Sequence, residues 1–270
     1  MKDIYTRTLT GIVFLLVVLG ALIFDPLAFF IVFAAFNFIG LKEFAKLTGY
    51  SENRKPGIEY YLFGVIIYLI IGLSGLGYID IRNTAIIFVI FFLQIAIELF
   101  RKPDPSWKYI ATNITGFIYI SLPFGLLNSL YFTGAITEPH FGIILGVFMI
   151  LWSSDIFAYL TGSMFGKHRL FERISPKKSW EGSIGGLVFA LIAAYVISLF
   201  IDRLTLSQWL IMTVIIVISG TIGDLAESLL KRNAGVKDSG NIFPGHGGVL
   251  DRFDALLFVT PMVFVYLNLI

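Results

Sequence analysis

The sequence predicts an all-α polytopic integral membrane protein of about nine transmembrane helices, N-terminus cytoplasmic and C-terminus external. Three observations carry that prediction: too few charges to cover a soluble surface, a series of apolar runs of membrane length, and a one-sided distribution of basic residues. Hydrophobic residues make up 57% of the chain and charged ones 14%, with a mean hydropathy of +0.86. A soluble domain carries about 25% charged residues, so the solvent around most of this chain is lipid. A net charge of +2 is too small to imply nucleic acid as a partner. The absence of cysteine excludes disulfides, zinc–thiolate sites, iron–sulfur clusters and thiol nucleophiles.

A bilayer core of ~30 Å needs about 20 apolar residues in a helix. Such runs lie near 8–24, 27–41, 60–79, 84–99, 111–132, 141–162, 183–201, 206–223 and 254–270. The first, with Lys2 and Arg7 before it, has the outline of a signal peptide, but eight further spans follow and it reads as an uncleaved anchor. Residues 1–110 then form an N-terminal bundle of spans 1–4, residues 111–140 a middle span, and residues 141–270 a catalytic region with two basic cytoplasmic loops. With the N-terminus inside, 18 of the 20 Lys and Arg residues fall on the inner side, among them Lys42, Lys46, Arg54 and Lys55, leaving Arg82 and Arg203 outside. An error in the number of spans would scramble so one-sided a count.

Ionisable groups at membrane depth cost a few kcal/mol each and are functional suspects by default. Counting from Phe141, Asp155 lies about 21 Å down the sixth span, and Asp224 about 27 Å down the eighth, near its inner edge. Asp251 and Asp254 open the ninth span from the inside. Orientation and helical rise alone thus bring carboxylates from three segments to one side. If the eighth helix continues past Gly223, then Asp224, Glu227, Ser228 and Lys231 share one polar face. Asp251 and Asp254 share a face in a first helical turn, where the dipole favours negative charge. Clustered carboxylates repel one another unless something positive sits among them. A hard cation such as Mg²⁺ suits oxygen ligands of this kind, with substrate phosphates completing its shell.

Between those helices, Pro244-Gly245-His246-Gly247-Gly248 forbids regular structure and lets backbone N–H groups approach a ligand. Lys231, Arg232, Lys237 and Arg252 frame it with charge suited to phosphate oxygens. A second basic loop, with Lys167, His168, Arg169, Lys177 and Lys178, follows the Asp155 helix. These loops also satisfy the positive-inside rule as plain anchors, and Lys42, Lys46, Arg54 and Lys55 read only as anchors. A lone His246 would read as a loop histidine; inside a glycine cluster beside two aspartates it reads as a site residue. The phenylalanines read as packing or lipid-facing residues.

Ser228-Leu-Leu-Lys231-Arg232, then Lys237-Asp238, Phe243 to Gly248 and Asp251-Arg252-Phe253-Asp254 resemble the signature of phosphatidate cytidylyltransferases, the CDP-diacylglycerol synthases. Asp155 to Tyr159, Gly166-Lys167-His168 and Ser175 to Gly182 are similar to the same family, so the resemblance covers roughly 150–260. It implies condensation of CTP with phosphatidic acid to CDP-diacylglycerol and pyrophosphate, dependent on Mg²⁺, with K⁺ as a second cation. It also implies that Asp224, Asp251 and Asp254 hold metal. The candidate catalytic residues are therefore Asp224, Asp251, Asp254, Lys231 and His246. Substrate contacts are expected from Asp155, Lys167, Lys177, Lys178, Ser228, Arg232, Lys237, Gly247, Gly248 and Arg252. The expected partners are CTP, phosphatidic acid and the bilayer, in a bacterial inner membrane with the active site facing the cytoplasm; a homodimer is left open. A CTP-dependent polyprenol-type lipid kinase would instead release CDP. An ion-coupled transporter would show inverted repeats and midplane sites, which this distribution of acids lacks.

Overall fold

The computed structural model describes residues 2–48, 50, 55–102, 105–132 and 139–270. Eight helices among them are long and apolar enough to cross a membrane, by length and composition. The N-terminal ones are α1 (Lys2–Phe24), α2 (Pro26–Leu47), α3 (Ile58–Gly75) and α4 (Ile86–Leu99), the last entered through a 3₁₀ turn, Ile81–Ala85. Next, α5 (Trp107–Gly116), a π-helical turn (Phe117–Ser121) and α6 (Leu122–Ser129) form one rod from Trp107 to Phe132. α7 (Gly142–Phe165), α8 (Trp180–Ser198) and α9 (Leu206–Asn233) complete the eight. The ninth expected span is α10 (Leu250–Leu269), 20 residues long, with Asp251, Arg252 and Asp254 in and beside its first turn.

The sequence places stops and starts where the chain uses them. Asp25 caps α2, accepting from Leu27 N at 2.7 Å, and Pro26 fills the first helical position, where no N–H is needed. Thr205 and Gln208 form a capping box at the head of α9. α9 does continue past Gly223, by ten residues to Asn233, so the polar face expected of it is helical. One element was not anticipated. The basic loop after α7 is an antiparallel hairpin of β1 (Arg169–Phe171) and β2 (Ser175–Ser179), in which Ser179 also caps α8.

Aromatic packing fixes the start of α10. The Phe253 ring lies 5.1–5.5 Å, centroid to centroid, from Phe14 of α1, Phe33 and Phe36 of α2, and Phe124 of α6. Clasped on that side, α10 turns Asp251 and Asp254, which flank Phe253, toward a cavity instead. Side-chain contacts also draw together the chain segments that carry the basic residues. The stem of Arg7 lies against Gly245, Glu43 reaches the loop after α9, Lys178 pairs with Asp224, and Arg101 pairs with Glu59 and Glu98. Arg54, one of the expected anchors, lies outside the described residues.

Candidate active site

Small residues bring the acidic helices close. A Cβ on Gly182 would stand 2.7 Å from the carbonyl oxygen of Ala158, and one on Gly186 2.8 Å from that of Ser154, so α8 lies almost backbone to backbone on α7. A Cβ on Gly223 would stand 2.5 Å from the carbonyl oxygen of Asp254, which presses α9 onto α10 in the same way. Asp155, Asp224 and Asp254 therefore face one space from three helices.

That space has two adjoining parts, with Asp155 and Asp224 lining both. The smaller, about 350 Å³, is bounded by Asp155, Asp224, Asp251, Asp254, His246 and Arg252, and is closed by Thr10, Gly11 and Phe14 of α1. The larger, about 670 Å³, is bounded by Asp155 and Asp224 together with Arg169, Lys177 and Lys178 of the hairpin, and runs along apolar α7 and α9 residues such as Leu151 and Ile216. Both sizes fall in the range of ligand pockets, roughly 300–1,000 Å³. One wall is cationic, one is acidic, and one is greasy.

The acids divide by how they are held. Asp251 is committed to the protein: Oδ1 accepts from Lys231 Nζ at 2.7 Å, and Oδ2 accepts from Gly248 N at 2.7 Å and from Ser239 N and Oγ at 2.8 Å. Gly247 stands beside it at φ +82, a conformation that favours glycine. Asp224 pairs with Lys178, and its Oδ1 accepts from Ser228 Oγ at 3.4 Å. Asp254 Oδ1 accepts from the adjacent Ala255 N at 2.8 Å. Behind them Glu227, fully buried, pairs at 2.5 Å with Lys231, so one ammonium bridges Glu227 and Asp251. The positive groups set among the carboxylates are thus Lys178 and Lys231. Among the described residues, no group of three His, Cys, Asp or Glu side chains is arranged to hold a metal ion by itself.

His246 lies against α1, its ring about a van der Waals contact from where a Cβ on Gly11 would sit. Burial lowers its pKa below the usual histidine value, and the neighbouring charges of Arg252 and Arg7 lower it further, which favours the neutral ring.

Of the expected site residues, Asp155, Asp224, Asp251, Asp254, His246 and Arg252 share one cavity, and Lys177 and Lys178 line the other. Lys231 sits behind the acids, and Ser228 bonds to Asp224. Gly248 spends its amide on Asp251, and Gly247 accepts from Phe243 N. Lys167, Arg232 and Lys237 are exposed and line neither cavity. Arg169 is named in the basic loop but not among the expected substrate contacts, and Ser239 and Glu43 are not among the expected site residues at all. Arg169 sat in a loop whose hairpin was not foreseen, and Ser239 had no spacing signal. Glu43 was legible only as an acid isolated among basic anchors.

Membrane-length helices converging on a pocket with carboxylate and ammonium walls and an apolar flank define a membrane-embedded enzyme acting on anionic substrates. The pattern of the Cytidylyltransferase family matches residues 5–270, and the chain belongs to that family of nucleotidyltransferases. It is 35% identical over 263 residues to the phosphatidate cytidylyltransferase of Staphylococcus saprophyticus, covering 97% of this chain and 98% of the relative. The enzymes of that name from Staphylococcus haemolyticus and Staphylococcus aureus are 35% and 34% identical over 264 residues, again covering 97% of this chain and 98% of each relative.

Proposed function

We propose that this enzyme condenses CTP with phosphatidic acid to give CDP-diacylglycerol and pyrophosphate. A phosphate-monoester oxygen of the lipid attacks the α-phosphorus of CTP in line, the new P–O bond forms, and the bond to the β-phosphate breaks. The nucleophile is already anionic, so no strong general base is needed, and catalysis rests on positioning and charge neutralisation. The larger cavity carries the reading: its cationic hairpin wall and apolar α7–α9 wall suit a phosphate joined to acyl chains, and its shared aspartates adjoin a second chamber that Arg252 and His246 line.

Arg169, Lys177 and Lys178 neutralise phosphate oxygens in the larger cavity, while Arg252 and the neutral His246 face the smaller one as donors. Asp224 and Asp254 would be the protein ligands of Mg²⁺, which would supply further neutralisation of phosphate charge. Two carboxylates completed by substrate phosphates are what this cation ordinarily takes. Asp251 already carries four donors, three of them on Oδ2, and Lys231 acts through Asp251 as a positioning residue. K⁺ enters no step. Residues 141–270 form the catalytic region, 1–110 the N-terminal bundle and 111–140 the span between. The count of basic residues supports an N-terminus and active site on the cytoplasmic side of a bacterial membrane, and an external C-terminus.

Incubation of the purified protein with CTP, phosphatidic acid and Mg²⁺ should yield pyrophosphate and CDP-diacylglycerol in equal amounts. Release of CDP with a phosphorylated lipid would point to a kinase, and neither product would end the proposal.

A further inference from the structure

The N-terminal bundle reads as scaffold, yet one of its acids reaches into the loop of the site. Glu43, near the end of α2, is 7% exposed. Its Oε1 accepts from Val249 N at 3.0 Å; its Oε2 accepts from Leu250 N at 2.9 Å and Ser239 Oγ at 3.0 Å. Val249 and Leu250 begin α10, where backbone N–H groups have no acceptor within the helix and where a carboxylate is favoured by the dipole. The carboxylate enters through a gap that only glycine leaves: a Cβ on Gly248 would stand 2.5 Å from Glu43 Cδ, and one on Gly240 2.9 Å. Neither glycine has a positive φ, so their requirement here is space.

One of the three groups Glu43 holds also bonds Asp251, and the other two are backbone amides just before it in the chain. Ser239 Oγ lies 2.8 Å from Asp251 Oδ2, and Gly248 N, next to Val249, donates to the same oxygen. Asp254 follows one turn later. A shift in the first turn of α10 would therefore carry both aspartates with it. We infer that Glu43 is a positioning residue of the active site: it clamps the loop and the head of α10 so that Asp251 and Asp254 meet substrate in register. The inference rests on the proposed role of those aspartates, and it makes the N-terminal bundle a contributor to catalysis.

The test uses the full-length protein in detergent or nanodiscs, with Glu43→Gln, Glu43→Asp, Ser239→Ala and the Glu43→Gln/Ser239→Ala pair. Glutamine offers one acceptor oxygen and turns an NH₂ group toward a backbone donor, so one amide of α10 loses its partner. Amide exchange over 248–252 should then quicken. Turnover should fall by roughly 10²-fold, the scale of an ångström-level misplacement, with KM for CTP and phosphatidate near wild type. Glu43→Asp keeps the charge but is one methylene short; it should fold and still lose turnover, which covers the case in which the glutamine variant does not fold. The double variant should lose less than the product of the single losses, because both changes cut one network. Wild-type kcat in Glu43→Asp or in a folded Glu43→Gln, unchanged exchange, or strictly multiplicative losses would overturn the inference. Wild-type protein that makes no CDP-diacylglycerol would count against the proposed reaction instead, and the exchange measurement would still judge the clamp.

Discussion

Replacing Lys231 with methionine isolates the ion pair behind the site. The side chains are similar in length, so the change removes charge while largely keeping volume. Lys231 Nζ stands 2.5 Å from Glu227 and 2.7 Å from Asp251, with side-chain exposures of 14%, 0% and 6%. The two acids do not depend on it equally. Asp251 keeps three other donors, from Ser239 and Gly248, whereas Glu227 is fully buried with Lys231 as its ion-pair partner. Breaking a buried pair by removing one member costs about 3–5 kcal/mol, chiefly the charge left behind. We therefore expect Lys231→Met to unfold at markedly lower denaturant, and Lys231→Met/Glu227→Gln to regain most of that loss. Turnover should stay low in the pair, because Asp251 remains without its ammonium. Denaturant titration in micelles, followed by tryptophan fluorescence, reads the stability. A Lys231→Met protein as stable as wild type, or a double variant no better than the single, would refute the assignment of the cost to Glu227.

Asp224→Asn and Asp254→Asn should purify normally yet lose about 10²-fold or more in turnover, since a metal site supplies several kcal/mol at the transition state; Asp251→Asn should also lose stability, having four donors to disappoint. Wild-type turnover at low Mg²⁺ in either of the first two would remove that residue's metal role. Lys177→Ala and Lys178→Ala should raise KM for a phosphate substrate, while Lys46→Ala should not; equal effects would favour simple anchoring. For His246 the folded pKa is depressed, so the neutral form belongs to the folded state and stability is complete above the ordinary histidine value of about 6.5. It falls as pH drops through that value toward the lower folded one, and His246→Gln should flatten this part of a melting-temperature profile between pH 8 and 5. Cysteine introduced at exposed Glu172 should be shielded from impermeant thiol reagent in intact cells, and at exposed Arg203 labelled; the reverse would invert the proposed topology.

The membrane helices were legible because hydropathy and length leave few alternatives for an apolar run of about 20 residues. Their ends were less so, for physical reasons that differ by element. α2 and α9 extend six and ten residues beyond their apolar runs of 27–41 and 206–223, because polar residues such as Glu43, Glu227 and Lys231 are paired inside the protein instead of ending the helix. The hairpin 169–179 reads as loop in the sequence because Lys177 and Lys178 obscure a two-stranded pairing set by backbone bonds rather than by an apolar alternation. The π-helical turn at Phe117–Ser121 left no sequence signal that periodicity could use.

In the site, positions along a helix were legible and long-range partners were not. The spacing of Asp224 and Ser228, and of Glu227 and Lys231, reappears as i,i+4 contacts, because helical geometry is local. Asp251 looked like the equal of Asp254 for the same reason: both face the cavity from one turn. What separates them is the loop. Ser239, Gly248 and Lys231 fold back onto Asp251 from residues before it in sequence, while Asp254 draws its bonded donor from its own helix. No periodicity carries that difference, since it depends on where the loop closes, and the loop closes on Glu43, some 200 residues away in sequence. Acids that spacing makes equivalent thus differ in how they are held: Asp254 has one bonded donor, from its own helix, whereas Asp251 carries four, from Lys231, Ser239 and Gly248.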